Sequence, residues 1–151
     1  MSTSPLLAGH VAGESAQDVK NLLRRHGDHF VNEVAFKPGT QTNSLTRKRQ
    51  WVAPFDFEIV DVYAVESDVA AADSATAALA IDPAGDNKNP LASASIDIDA
   101  LTLDTPTKQT LSATEANRQG KKGDVLEATF VTDGSGTIQE AQLIVHVKPI
   151  G

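Results

Sequence analysis

The chain has 151 residues, a net charge of −7 and no cysteine. That length holds one domain with room for an arm. The missing cysteines exclude disulfides and thiolate metal sites, and no apolar run approaches the ~20 residues needed to span a bilayer.

The charge is unevenly placed. Residues 1–50 carry seven Lys/Arg and four Asp/Glu, whereas the remainder carries six against sixteen. This asymmetry predicts an arm and a body with different surroundings, divided at 1–46 and 47–151. An acidic body argues against nucleic acid as a partner. The opening MSTSPLLAGHVAG has no basic n-region and too short an apolar run for a signal peptide. The expectation is a protein made in the cytoplasm and used without a cleaved leader.

Within the arm, Ser15 precedes a short amphipathic helix over about 15–26. Val19, Leu22 and Leu23 share one face, with Asp18 in the first turn and Arg24, Arg25 and His26 in the last. Those charges complement the helix dipole, and Gly27 stops the helix. The apolar face suits docking on a partner and equally suits packing on the body. Asp28 to Phe36 has Phe30, Val34 and Phe36 on one parity, as a strand or an extended arm would. Lys37 to Ser44 (KPGTQTNS) reads as a loop. Arg47-Lys48-Arg49 is the only basic cluster. Three charges are too few for a nucleic-acid patch; they suit a solvated strand entry or an electrostatic docking site.

The body is organised around Trp51 to Glu66, WVAPFDFEIVDVYAVE. Phe57 and Ile59 are apolar on one parity, and Val60, Val62 and Ala64 on the other. The phase slips near Ile59 and Val60, which calls for a β-bulge or a strand buried on both faces. Pro54 suits a strand start or a sheet edge. Ser67 to Ser74 is a loop. Thr76 to Ile81 alternates, with Ala77, Leu79 and Ile81 inward. Asp82 to Pro90 is turn chemistry. Leu91 to Leu103 holds Ile96, Ile98, Leu101 and Leu103, broken by Asp97 and Asp99. Gln109 to Ser112 is a candidate short strand. Leu126, Ala128 and Phe130 alternate within 125–132, Asp133 to Gly136 is a tight turn, and Leu143, Val145 and Val147 face inward with His146 outward. Many short strands with frequent turns predict a mainly β chain: an antiparallel β-sandwich or jelly-roll-like body with an N-terminal arm.

Catalytic signatures are missing from the sequence. The histidines (His10, His26, His29, His146) sit in no recognised motif. His26 and His29 are three apart, as a shared metal would permit, but surface histidines account for them as well. Asp82, Asp86 and Asn87, and Asp97 with Asp99, lack EF-hand spacing and read as turn formers. No enzyme, metal or cofactor is expected.

The body resembles the β-sandwich of bacteriophage capsid decoration, cement and head-fibre proteins. The resemblance covers roughly residues 50–149. It rests on the aromatic-Pro entry WVAPF, the Asp-Gly turn leading to Leu-Ala-Ser, the Thr-Leu-Ser segment, the Gly-Asp-Val-Leu step and the closing Leu-Ile-Val-x-Val strand. It implies a structural virion protein on the capsid surface, commonly a homotrimer, with the major capsid protein as partner. Under that reading Leu22, Leu23, Phe30 and Phe36 are the expected arm contacts, and Arg47, Lys48 and Arg49 assist electrostatically. Two alternatives stand beside it: a carbohydrate- or receptor-binding module of a virion fibre, and a tail-tube or connector protein.

Overall fold

The computed structural model describes residues 31–66 and 74–151. The helix expected over about 15–26, with Leu22, Leu23 and Phe30, lies outside the described residues, as does most of the loop 67–74. The described chain is mainly β, and its strands are antiparallel. Its only helical elements are two 3-10 turns, Ile98–Ala100 and Glu115–Arg118.

Eleven strands are present among the described residues: β1 (Asn32–Phe36), β2 (Gln41–Thr42), β3 (Leu45–Val52), β4 (Phe57–Glu66), β5 (Ala75–Ile81), β6 (Ile96–Asp97), β7 (Thr107–Lys108), β8 (Gln119–Gly120), β9 (Val125–Thr132), β10 (Thr137–Ile138) and β11 (Ala141–Pro149). One sheet runs β1-β11-β4-β7, with β8 also paired to β4. A second runs β3-β9-β5-β6, and β2 pairs with β10 alone. One apolar cluster draws on both large sheets. Phe57, Ile59, Val62, Leu143, Val145 and Val147 come from the first; Ala77, Leu79, Ile81, Leu126, Ala128 and Phe130 come from the second. The buried residues of β5 and β11 are those that period-two alternation placed inward, and so are those of β9 apart from Glu127, which is buried on the other parity,.

The phase slip in β4 is a bulge. Val147 pairs with Ile59 and His146 with Asp61, so Val60 has no opposite number on β11. The extra residue shifts the buried set from Phe57 and Ile59 to Val62 and Ala64,. The organising stretch is nevertheless two strands. Trp51 and Val52 close β3 in one sheet, and β4 opens at Phe57 in the other. Residues 53–56 cross between the sheets. Ala53 is buried and bonded both ways, its N–H donating to Asp124 O and its carbonyl accepting from Gly123 N. Pro54 follows at the step where no ladder donor is needed.

Leu91 to Leu103 departs from a plain strand. The Asp97 side chain accepts the Asp99 N–H and turns the chain into the 3-10 turn after two residues of β6. Short polar side chains that bond their own backbone compete with sheet ladders in this way. The Gln109–Ser112 strand is likewise displaced: pairing with β4 is made by Thr107 and Lys108, leaving one isolated bridge between Leu91 and Leu111.

The boundary at 46/47 falls inside β3. Residues 32–46 supply β1, which pairs with β11 from Asn32 to Phe36, and β2, which pairs with β10. Phe36 is 3% exposed and belongs to the core. Removing residues 1–46 is therefore expected to unfold the body, because it strips an edge strand, a core phenylalanine and the buried Gln41. Removing residues 1–30 should leave a cooperative unfolding transition intact. Circular dichroism melts of the two truncations check this; a folded product lacking 1–46 would contradict the integration of β1.

Candidate functional site

The sequence singled out three consecutive basic residues, and strand geometry separates them. Side chains alternate faces along β3. Arg47 lies opposite Phe130 and Arg49 opposite Ala128, both of which face the core. β3 is an edge strand, so these two guanidinium groups overhang the rim of the core rather than entering it. They reach the loop after β1. Arg47 Nη1 donates to Pro38 O and Thr40 O, both at 2.8 Å. Arg49 donates to Lys37 O at 3.0 Å and to Pro38 O at 3.1 Å. The planar, multi-donor guanidinium suits this task, and a lysine would not match it. Lys48 points to the opposite face, 60% exposed, with Glu127 Oε1 at 3.6 Å. Arg47 and Arg49 thus tie the edges of the two sheets together, and Lys48 remains the cation that projects outward.

Of the expected arm contacts, Leu22, Leu23 and Phe30 lie outside the described residues. Phe36 is taken up by the chain's own core. The large hydrophobic residues exposed among the described ones are Val31, Leu45, Val52 and Leu103. Three of the four lie just before β1 or at the two ends of β3. Exposed apolar residues thus stand at both ends of the basic strand β3.

The outer face of the β1-β11-β4-β7 sheet carries a polar ladder that single-strand parity did not assemble. Glu33, His146 and Asp61 stand side by side on β1, β11 and β4. His146 Nε2 lies 3.6 Å from Glu33 and its Nδ1 lies 3.8 Å from Asp61. Lys108 Nζ reaches Asp61 at 2.9 Å, and the hydrogen bond and charge of that carboxylate raise the lysine's pKa. Tyr63 packs beside the imidazole, ring centroids 5.7 Å apart. Each of these residues reads outward in its own strand, but only the pairing order makes them neighbours. Exposed pairs of this kind contribute little stability, because solvent and salt screen them.

Other polar candidates are occupied by local structure. The Asp82 main-chain carbonyl accepts the N–H groups of Gly85 and Asn87, and its side chain faces the N–H of Asp86, as a turn former's does,. Asp97 caps the 3-10 turn, and an Asp99 carboxylate oxygen accepts the Ala75 N–H at 3.1 Å. Among the described residues no group of three or more His, Asp or Glu is placed to hold a metal ion. His26 and His29 lie outside them. A groove of about 500 Å³ at the end of β1 is lined by Lys37, Thr40, Glu140 and Gln142. Trp51 stacks edge-on against Phe55 and Phe57, with centroids 6.1 and 5.4 Å away, and so serves the core rim.

No protein-family model and no curated protein matches the chain. Among solved structures, a chain of infectious bursal disease virus, Gx strain, is similar at a TM-score of 0.39 and 11% identity. That likeness covers 81% of this chain and 34% of the other, so the chain spans about a third of that neighbour's length.

Proposed function

We propose that the chain is a structural virion protein whose sheets form a β-sandwich, and that it binds the outer surface of an assembled phage capsid as a decoration protein. The trimer is its expected state, and the segment before β1 contributes to docking through Leu22 and Leu23. The supporting observation is the distribution of surface chemistry. Exposed Val31 lies just before β1, and exposed Leu45 and Val52 stand at the two ends of β3. Among the described residues, Asp97, Arg47, Arg49 and His146 are engaged in a cap, a loop tie and cross-strand pairs. Exposed apolar residues flanking an unpaired strand edge suit an interaction surface more than a reaction site. The resemblance of residues 50–149 to capsid decoration sandwiches points the same way. A carbohydrate-binding reading needs exposed aromatic faces, and Trp51 is committed to Phe55 and Phe57.

The test is co-sedimentation of the purified protein with capsids that lack it, alongside light scattering of the free protein. The full chain should saturate the particles and weigh as a trimer of the 15.9 kDa chain. A 31–151 truncation should lose most of its occupancy while remaining folded. Full occupancy by the truncation would remove residues 1–30 from the docking role, and no sedimentation of the full chain would overturn the reading.

A further inference from the structure

The two ends of the sheets' edges are built differently. On one side the edge strands are β6 and β7, two residues each, flanked by a 3-10 turn. Short edges are a common protection against stray pairing. On the other side β3 is an edge of eight residues, without proline, bulge or register shift against β9. Among the described residues nothing pairs with its outer rim.

The direction of its peptide groups follows from three contacts. Ala53, which continues the strand, donates to Asp124 O on the β9 side. Leu45 O accepts from Thr132 Oγ1 of β9. Arg49 Nη1 approaches Lys48 O at 3.3 Å from the rim. Peptide groups in a strand alternate sides. The N–H and C=O groups of Thr46, Lys48, Gln50 and Val52 therefore face away from β9, and among the described residues only Lys48 O of these carbonyls has a side-chain donor near it.

We propose that this edge is a strand-addition site for an extended segment of a partner protein carrying consecutive carboxylates between apolar residues. Strand addition takes its affinity from main-chain hydrogen bonds and its specificity from alternate side chains. Arg47 and Arg49 lie on one face of the edge and Lys48 on the other, so three successive acidic residues on the incoming strand meet three cations,. Exposed Leu45 and Val52 stand at the two ends of β3 and meet the flanking apolar residues. Basic residues on an edge also serve to repel other strands. Here two of the three are held by the carbonyls of residues 37–40 rather than projecting freely from the edge. A second copy of the chain is a poor occupant. Antiparallel pairing of two β3 edges about Lys48 would set the cationic triplet against itself, which is destabilising.

This inference stands apart from the capsid reading. Its test uses the full chain and a ten-residue synthetic peptide of alternating valine and threonine with three central glutamates. Amide exchange of the rim groups of Thr46, Lys48, Gln50 and Val52 should slow at least tenfold when the peptide is added. The amides of Arg47, Arg49 and Trp51, already paired with β9, should change little. A matching peptide with three lysines should leave the rim unprotected. Lys48→Glu should weaken binding of the acidic peptide about tenfold. Thr46→Pro, which removes one rim donor at an edge position that tolerates proline, should weaken it comparably. Protection by the lysine peptide, protection elsewhere, or none at all overturns the proposal. So does protection of the same amides that rises with protein concentration without peptide, because a second copy would then be the occupant. Each of these outcomes leaves the capsid sedimentation result untouched.

Discussion

Replacing Phe57 with alanine is expected to lower stability by about 3–5 kcal/mol, the range for deleting a buried aromatic ring. Phe57 opens β4 with no exposed surface, and Trp51 stands edge-on to it at 5.4 Å. Beneath the ring the chain leaves room for nothing else. Gly120 lies opposite Phe57 in the β4–β8 pair. A methyl group at Gly120 would sit 2.4 Å from Phe57 Cε1, 2.5 Å from its Cζ and 3.2 Å from Ile81 Cγ2. Gly120→Ala should therefore cost about 1–3 kcal/mol by overpacking. The two sites are coupled, and the coupling has a sign. Phe57→Leu removes the far edge of the ring, so Phe57→Leu combined with Gly120→Ala should be less unstable than the sum of the single changes. Urea midpoints of the four proteins give the cycle. An additive result would mean that the ring moves freely away from residue 120, and the close-approach account of Gly120 would fail.

Alternation made the central strands legible. In β5, β9 and β11 one face is buried, so Leu79, Phe130 and Val145 announce themselves by parity alone,. Even the bulge at Val60 is written in the sequence as a broken phase. What parity does not carry is which strands meet. The tie from Arg47 and Arg49 to residues 37–40, and the ladder Glu33–His146–Asp61, both depend on pairing order. Two segments that differed from expectation are shaped by side chains bonded to backbone. Asp97 ends β6 in this way, and the loop-like KPGTQTNS conceals β2, a two-residue strand paired with β10 whose glutamine also bonds main-chain carbonyls of β3 and β9. The proposed interaction surface was half visible: the basic triplet was conspicuous, but its splitting across two faces required knowing that it lies in a strand.

Gln41 is where that concealed glutamine has the largest consequence. It is 1% exposed, and its Nε2 donates to Leu45 O at 2.6 Å and Phe130 O at 2.9 Å, with Thr132 Oγ1 at 3.4 Å. The amide thus joins β2 to both β3 and β9 through acceptors alone. Gln41→Leu keeps most of the volume but loses both short bonds, and should cost about 2–3 kcal/mol. Gln41→Glu should cost more at neutral pH, about 3–5 kcal/mol, because a buried carboxylate would face two carbonyl oxygens, and the one hydroxyl beside it, that of Thr132, already donates to Asn43 O,. The folded protein would then hold that carboxyl protonated, with a pKa above the ~4.3 of the unfolded chain. In that window the folded state binds the extra proton, so its stability relative to Gln41→Leu falls as pH rises through the raised pKa. The excess penalty is complete above that pKa and fades below about pH 4.3, where the protonated group can donate one bond. Urea unfolding of both variants from pH 4 to pH 8 isolates the effect, since every other titrating group cancels in the difference. A difference independent of pH would show that residue 41 does not face the acceptors of Leu45, Phe130 and Thr132.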